Sequence, residues 1–417
     1  MKLPHESENP SVRYVVGSLI AGVFFGGVGG GVAFPTIPAL GSVIGISPLL
    51  VGIILSINRF TRLVMNTPAG QILDRVGTRR PMILGFLVQG LVPFGYVLGL
   101  HAERFGLPSS SVFLVARATW GIGSAFVFVG AFSTVTQITT PENRGKWVGY
   151  MRGGQSLGFP TGLVVGGLVS DVYGYDVAFV VAGVTATFAA VVAFFVLPDT
   201  KADVDTVSSL RELPKLVSDD VRIFTVGAVN FTVRFLFAGI LLSTVVLYAR
   251  ENSITVGWLS ETGVSGVVMA VSVVFSSLTT IAVGRISDDL PNRALLTIPA
   301  LTLFGAGFAV LAFVPTTVGT VVGVALVGVG VGGTNPPLLA YLGDISPEED
   351  LGKLGGVYNV FGDLGSTVGP LVALPVAART SVATEYLGSV GLVALAAVLV
   401  AATLFERGSI LRQYSLR

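Results

Sequence analysis

The chain has 417 residues, of which 52% are hydrophobic and only 12% charged, with 25 Lys+Arg against 24 Asp+Glu. A soluble domain carries about 25% charged residues, so a chain of 43.2 kDa and mean hydropathy +0.81 would expose apolar patches over much of its surface in water. A soluble enzyme, a disordered protein and a secreted disulfide scaffold are excluded together, and near-neutral charge without a basic stripe leaves no nucleic-acid signature. There is no cysteine, and the two histidines are His5 in the N-terminal tail and His101 in a polar stretch. No metal site and no histidine proton relay in a membrane is expected.

A helix crossing ~30 Å of hydrocarbon needs about 20 residues, and the apolar runs here are continuous and too long for barrel strands. After a polar tail over 1–13, runs near 14–40, 48–69, 81–100, 112–136, 148–170 and 177–197 predict six spans. The first is too long for a signal peptide and reads as a retained span. The stretch 199–222 is polar and of mixed charge, and six further runs follow near 223–249, 257–283, 294–314, 318–342, 354–378 and 384–405. The expected organisation is a tail over 1–13, a six-helix bundle over 14–197, a linker over 198–222, a second bundle over 223–406 and a tail over 407–417. With both termini inside, 17 Lys and Arg fall in inner segments and three, Arg104, Arg250 and Arg379, in outer loops. The positive-inside rule then puts both tails and the linker in the cytoplasm.

The halves repeat. The stretch from Gly70 through Asp74, Arg75, Gly77 and Arg79 aligns without gaps with the stretch from Gly284 through Asp288 to Arg293. Pro141 through Gly149, Gly158 and Gly162 aligns with Pro347 through Gly356, Gly365 and Gly369 after one insertion. Duplicated halves mark transporters that hold substrate between two bundles. Between the second and third spans, Gly70-x-Ile72-Leu73-Asp74-Arg75-Val76-Gly77-Thr78-Arg79-Arg80 resembles the loop signature of the major facilitator superfamily. The resemblance covers essentially the whole chain, including a degenerate second copy from Gly284 through Asp288 to Arg293. It implies an all-α membrane fold of twelve helices in two pseudo-symmetric bundles. It also implies that Asp74, with Arg75, Arg79 and Arg80, forms a cytoplasmic latch holding the outward-open state. Glycines at 70 and 77 suit a tight turn between packed helices.

Arg117, followed four residues later by Gly121, resembles the family's R-x-x-x-G signature, which implies a role in proton coupling or substrate contact. An intramembrane arginine costs at least ~2.5–3.5 kcal/mol and faces a cavity or a partner; an outward-snorkelling Arg117 is the alternative. Gly149, Gly158, Gly162, Gly166 and Gly167 resemble the glycine pattern of the family's antiporters, with Leu163 where the pattern has proline. The eleventh span carries the proline version through Gly365, Gly369 and Pro370. Small residues at this spacing permit close helix packing.

Five arginines lie within apolar runs, Arg59, Arg62, Arg117, Arg152 and Arg234, opposite one conspicuous acid, Asp363. Asp363 is expected to act as a protonation switch or to pair with Arg152 or Arg234. Arg59 and Arg62 share a helix face and offer an anion site as the alternative. A Gly328-x-Gly330-x-x-Gly333 match and an Asn230-x-Thr232 match fall inside spans and carry no nucleotide or glycan. The reading is a secondary carrier working by alternating access, not an enzyme, with no cofactor beyond a proton or ion gradient. It is expected to act as a monomer in the plasma membrane, its partners a small-molecule substrate and membrane lipid. Proton-coupled efflux of small apolar or amphipathic compounds is the first expectation. Import or exchange of an organic anion is the second, and a transporter-like sensor the third.

Overall fold

The computed structural model describes residues 12–198, 220–345 and 351–405. The expected tails lie outside the described residues except at 12 and 13, as does the linker apart from 198 and 220–222. The helices are α1 (Val12–Val43), α2 (Pro48–Val76), α3 (Arg79–Leu100), α4 (Ser109–Ile138), α5 (Pro141–Tyr173) and α6 (Tyr175–Val196), then α7 (Val221–Glu251), α8 (Glu261–Asp288), α9 (Thr297–Phe313), α10 (Thr317–Asp344), α11 (Leu351–Arg379) and α12 (Val382–Thr403). Most extend past the apolar runs because their ends are polar but still helical. Several boundaries follow from local chemistry. Ser47 accepts the Leu50 N–H and Pro48 opens α2, while Gly77, at φ +81°, closes it, a conformation L side chains adopt only with strain. The Thr316 and Ser381 hydroxyls likewise cap α10 and α12.

Among the described residues, eleven helices are long and apolar enough to cross a membrane. The twelfth, α5, is 33 residues long but is glycine-rich and carries Arg152 within it, which dilutes its hydropathy. It is held by packing, along α1 on one side and α8 on another. Large side chains such as Leu84, Phe188, Phe195, Leu278 and Leu395 are exposed on the bundle's flanks. Helices apolar on all faces suit a surrounding of hydrocarbon.

Helices α1–α6 pack on one another, as do α7–α12, and the halves meet mainly where α2 lies on α11 and α5 on α8. The sequence repeat pairs α2 with α8 and α5 with α11, so these two seams are one contact made twice with the halves exchanged. Both are tightest at the end away from the chain termini. There a Cβ on Gly52 would run into the Pro370 carbonyl, and Gly167 of α5 lies against Gly266 of α8. Toward the termini end, Gly145, Gly149, Gly153 and Gly355 have nothing within 4 Å of a Cβ position. Helix α1 touches α7 through its last segment, Leu242–Glu251. Among the described residues the two halves are therefore closed against each other at one end and leave these glycines uncovered at the other.

Candidate functional site

Midway along α2 and α11, the Arg62 guanidinium donates to the Asp363 carboxylate at 2.6 Å, each side chain 21% exposed. The acid therefore pairs neither with Arg152 nor with Arg234. Arg152 lies exposed toward the termini end of α5; α11 packs on both α7 and α2, and it is the guanidinium of Arg62 on α2, not that of Arg234 on α7, that meets the carboxylate. Arg62 also lies 5.6 Å from the centre of the Phe128 ring. The pair crosses from one half to the other, joining them by charge.

The other arginines divide by what occupies them. Arg117 is 1% exposed; it donates to the Ile54 and Leu55 carbonyls at 3.3 and 3.4 Å and lies 5.9 Å from the Trp120 ring centre. It does not snorkel outward; it ties α4 to α2. Arg59 sits 5.8 Å from the Phe34 ring centre, and Phe34 packs edge-on against Phe159. Arg62, Asp363, Arg234 and Arg117 are all near enough to act on Arg59 electrostatically. Neither Arg59 nor Arg234 has a hydrogen-bonded or ionic partner among the described residues. Around Arg234 the C-terminal half is fastened by Asn230, which donates to the Tyr358 carbonyl at 2.7 Å, and by the Tyr358 hydroxyl, which donates to Asn335 at 2.6 Å.

The glycine pattern resolves into different uses. Gly158, Gly162 and Gly166 press on the backbone of α1 at Phe24, Val28 and Val32, and Gly154 continues the row at Ile20. Gly365 and Gly369 press likewise on α7, at Phe231, Phe235 and Gly239, beside a π-helical segment over Phe235–Leu241. These seams lie within each half. Gly167 faces the other half, and Pro370 meets it through its carbonyl at Gly52. Gly149, nine residues before Gly158 and so on the opposite helix face, has open space where a Cβ would stand.

At the α2–α3 turn, Gly70 is buried, whereas Asp74, Arg75 and Arg80 are exposed, and Asp74 has no ion pair among the described residues. Arg79 donates to the Phe194 carbonyl at 2.9 Å, a favourable place for a cation at the end of α6. Its repeat counterpart Arg293 lies 3.4 Å from Asp288 and 3.3 Å from Asp344. Each arginine thus anchors the turn within its own half. Asp171 at the end of α5, which accepts hydrogen bonds from Ser260 ahead of α8, carries no motif and was not singled out by the sequence. An acid aligned opposite a capping serine across a repeat would have been the signal.

A sequence model described as Major Facilitator Superfamily matches residues 19–370 and 223–411. The chain is 24% identical over 359 residues to Multidrug resistance protein 2 of Bacillus subtilis, covering 84% of this chain and 86% of that protein. It is 25% identical over 358 residues to Multidrug resistance protein MdtG of Escherichia coli, covering 83% and 82%. Among solved structures, a bacterial homologue of the human lysosomal transporter Spinster, inward-facing and unoccupied, superposes with TM-score 0.76 at 14% identity over 95% of this chain and 97% of that one. The human organic anion transporter MFSD10 superposes with TM-score 0.66 at 18% identity over 94% and 100%. These structural likenesses speak to the fold.

Proposed function

The chain belongs to the Major Facilitator Superfamily of membrane transporters, and we propose that it exports small amphipathic compounds in exchange for protons, with the Arg62–Asp363 pair as its switch. The observation that carries this reading is the position of the pair. It spans the two halves midway along the seam between α2 and α11, where rocking of one half must stretch or break it. A proton on Asp363 removes the charge that holds Arg62, and restoring the carboxylate restores the attraction. Multidrug-resistance names among the relatives support export, and the exposed Phe128 ring beside Arg62 offers an apolar surface next to the pair.

In this reading the termini lie in the cytoplasm of a cell whose plasma membrane holds the protein as a monomer, and the separated end opens inward. Asp74, Arg75 and Arg80 are then released and would engage the other half when the inner end closes. The test is flux in proteoliposomes under an imposed pH gradient, with lipophilic cations, neutral drugs and organic anions as probes. Counterflow of protons against an apolar compound, lost in Asp363→Asn, is expected; flux indifferent to the gradient sinks the reading.

One observation favours a second reading, an organic-anion carrier. Arg62, Arg117 and Arg234 all lie near enough to act on Arg59, with one acid, Asp363, among them, and Arg59 and Arg234 have no bonded partner among the described residues. An excess of unpaired cations in a low-dielectric region attracts anions strongly. Anion flux that fails in Arg59→Ala and Arg234→Ala, without need of a pH gradient, would replace the first reading by this one.

A further inference from the structure

The closed end of the molecule is fastened by something that neither the repeat nor the family motif supplies. Asp171 lies in the last turn of α5, and its two carboxylate oxygens each take a hydrogen bond from Ser260 of the other half: the backbone N–H at 2.9 Å and the hydroxyl. Ser260 is also the residue that caps α8, its hydroxyl accepting the Thr262 N–H. Directly below, the two backbones touch at Gly167 and Gly266, and the Leu163 carbonyl leaves no room for a Cβ on Gly266. On Gly263 a Cβ would come within 2.8 Å of Asp171 Oδ2, so side-chain-free backbone is what lets the carboxylate reach its donors. The charged groups facing it are few: Glu261 follows Ser260 in the sequence, and Asp171 has no ion pair among the described residues.

Among the described residues the seam related by the repeat shows no such fastening. On α2–α11 the corresponding end of α11 is Arg379, a cation, and the Ser47 hydroxyl caps its own helix. That seam closes by backbone contact of Gly52 with Pro370, and its charge pair lies deeper, at Arg62 and Asp363. A charge-assisted bond to a backbone N–H is about twice as strong as a neutral one. It exists only while the ends of α5 and α8 are together, because opening this end must part Ser260 from Asp171.

We propose that Asp171 is a positioning residue of the transport cycle: its clasp on Ser260 holds the end away from the termini shut and so sets how much of the protein rests in the state open at the termini end. The inference rests on alternating access and not on any substrate, so it is tested by distance rather than flux. The chain contains no cysteine, so Tyr173→Cys on the end of α5 and Trp258→Cys ahead of α8, both strongly exposed, can carry spin labels without background. Double electron–electron resonance on the full chain in lipid nanodiscs then reads the separation of the two ends.

With Asp171 present, a short distance should dominate. In Asp171→Ala the longer-distance population is expected to rise at least several-fold, and in Ser260→Ala, which keeps the backbone donor, to rise less. Asp171→Glu, whose carboxylate can still reach, should restore part of the short population. Melting temperature is recorded for each variant, so that a fold lost outright is not read as an open gate. Unchanged distance distributions in well-folded Asp171→Ala overturn the proposal, as does an equal shift in Asp171→Glu and Asp171→Ala. Failure of pH-driven flux in the unmodified protein would overturn the export reading and leave this result standing.

Discussion

The two halves of the molecule share a plan and differ in charge. Helices α1–α6 supply Arg59, Arg62, Arg117 and Arg152, while α7–α12 supply Arg234 and the acid that meets the arginines, Asp363. The packing is duplicated closely: Gly158, Gly162 and Gly166 seat α5 on α1 as Gly365 and Gly369 seat α11 on α7. The charges are not duplicated, and the consequence is mechanical. A cation and its partner within one half would move together and report nothing, whereas a pair divided between the halves is strained by every relative movement. Duplication supplies two rigid bodies; the asymmetry couples them.

The comparison is broken most severely by removing one member of the divided pair. Arg62→Ala leaves Asp363 without a counter-charge and is expected to destabilise the protein by about 3 kcal/mol, the low end for a buried pair because each side chain keeps 21% of its surface exposed. Asp363→Asn should cost less and abolish proton-driven flux. The double variant Arg62→Ala, Asp363→Ala should be less damaged than the sum of the single changes, since the two groups interact directly. Thermal unfolding in detergent measures the first and third effects, and gradient-driven flux the second. Additive losses would mean that the two side chains act independently.

The duplicated packing makes the next prediction, which separates glycines that one motif treats alike. Gly162→Ala and Gly369→Ala place a methyl group against backbone that cannot turn away and should each destabilise by about 1–3 kcal/mol, the range for overpacking. Gly149→Ala meets nothing within 4 Å and should stabilise α5 by up to about 1 kcal/mol, the helix-propensity difference. If all three behaved alike, the division of the motif into packing and non-packing positions would be wrong.

Within the N-terminal half, the arginines should separate in the same manner. Arg117→Ala removes the donor to two buried carbonyls of α2 and is expected to cost about 2 kcal/mol, as for hydrogen bonds to charged groups. Arg59→Ala removes a cation with no bonded partner and should scarcely move the melting temperature, while shifting the relative flux of anionic and cationic probes toward cations. A large stability loss in Arg59→Ala would show that it holds structure instead.

Helix number, order and approximate ends were legible in the sequence because burial in hydrocarbon imposes long apolar runs, and those runs stop where the chain meets polar surroundings. The glycine rows were legible as small-residue faces, but not which helix each would meet. Gly154 extends the α5 row and escaped notice because its repeat position in α11, Phe361, is not a glycine. The partner of Asp363 was misread for a related reason. Arg152 and Arg234 were the partners expected from the sequence, and only the three-dimensional placement of α2 against α11 brings Arg62 to the carboxylate instead. The Asp171–Ser260 clasp joins residues 89 apart in sequence at a place where neither carries a motif, so nothing short of the packing of α5 on α8 reveals it. Local chemistry writes itself into the chain; the choice of partner across an interface does not.

The smallest expected effect lies where the second half begins. Asp220 caps α7, its carboxylate accepting the Arg222 N–H at 2.7 Å and the Arg222 guanidinium at 2.7 Å. The hydrogen bonds from the Arg222 side chain, and then that from its backbone, hold the Asp220 carboxyl below the usual aspartate range. A folded-state value below the unfolded one means stability that is present above the unfolded pKa and lost as pH falls through the folded value. Asp220→Ala should therefore cost about 1 kcal/mol or less at neutral pH, as for loss of a helix cap, and nothing once the medium is acidic enough to protonate Asp220 in the native protein. Melting temperatures of the two proteins should converge as pH is lowered below about 4, the ordinary aspartate value. A difference that persisted at low pH would mean that Asp220 holds the start of α7 by something other than its charge, and no difference at neutral pH would mean that packing on α12 through Thr225 and Thr403 holds it instead.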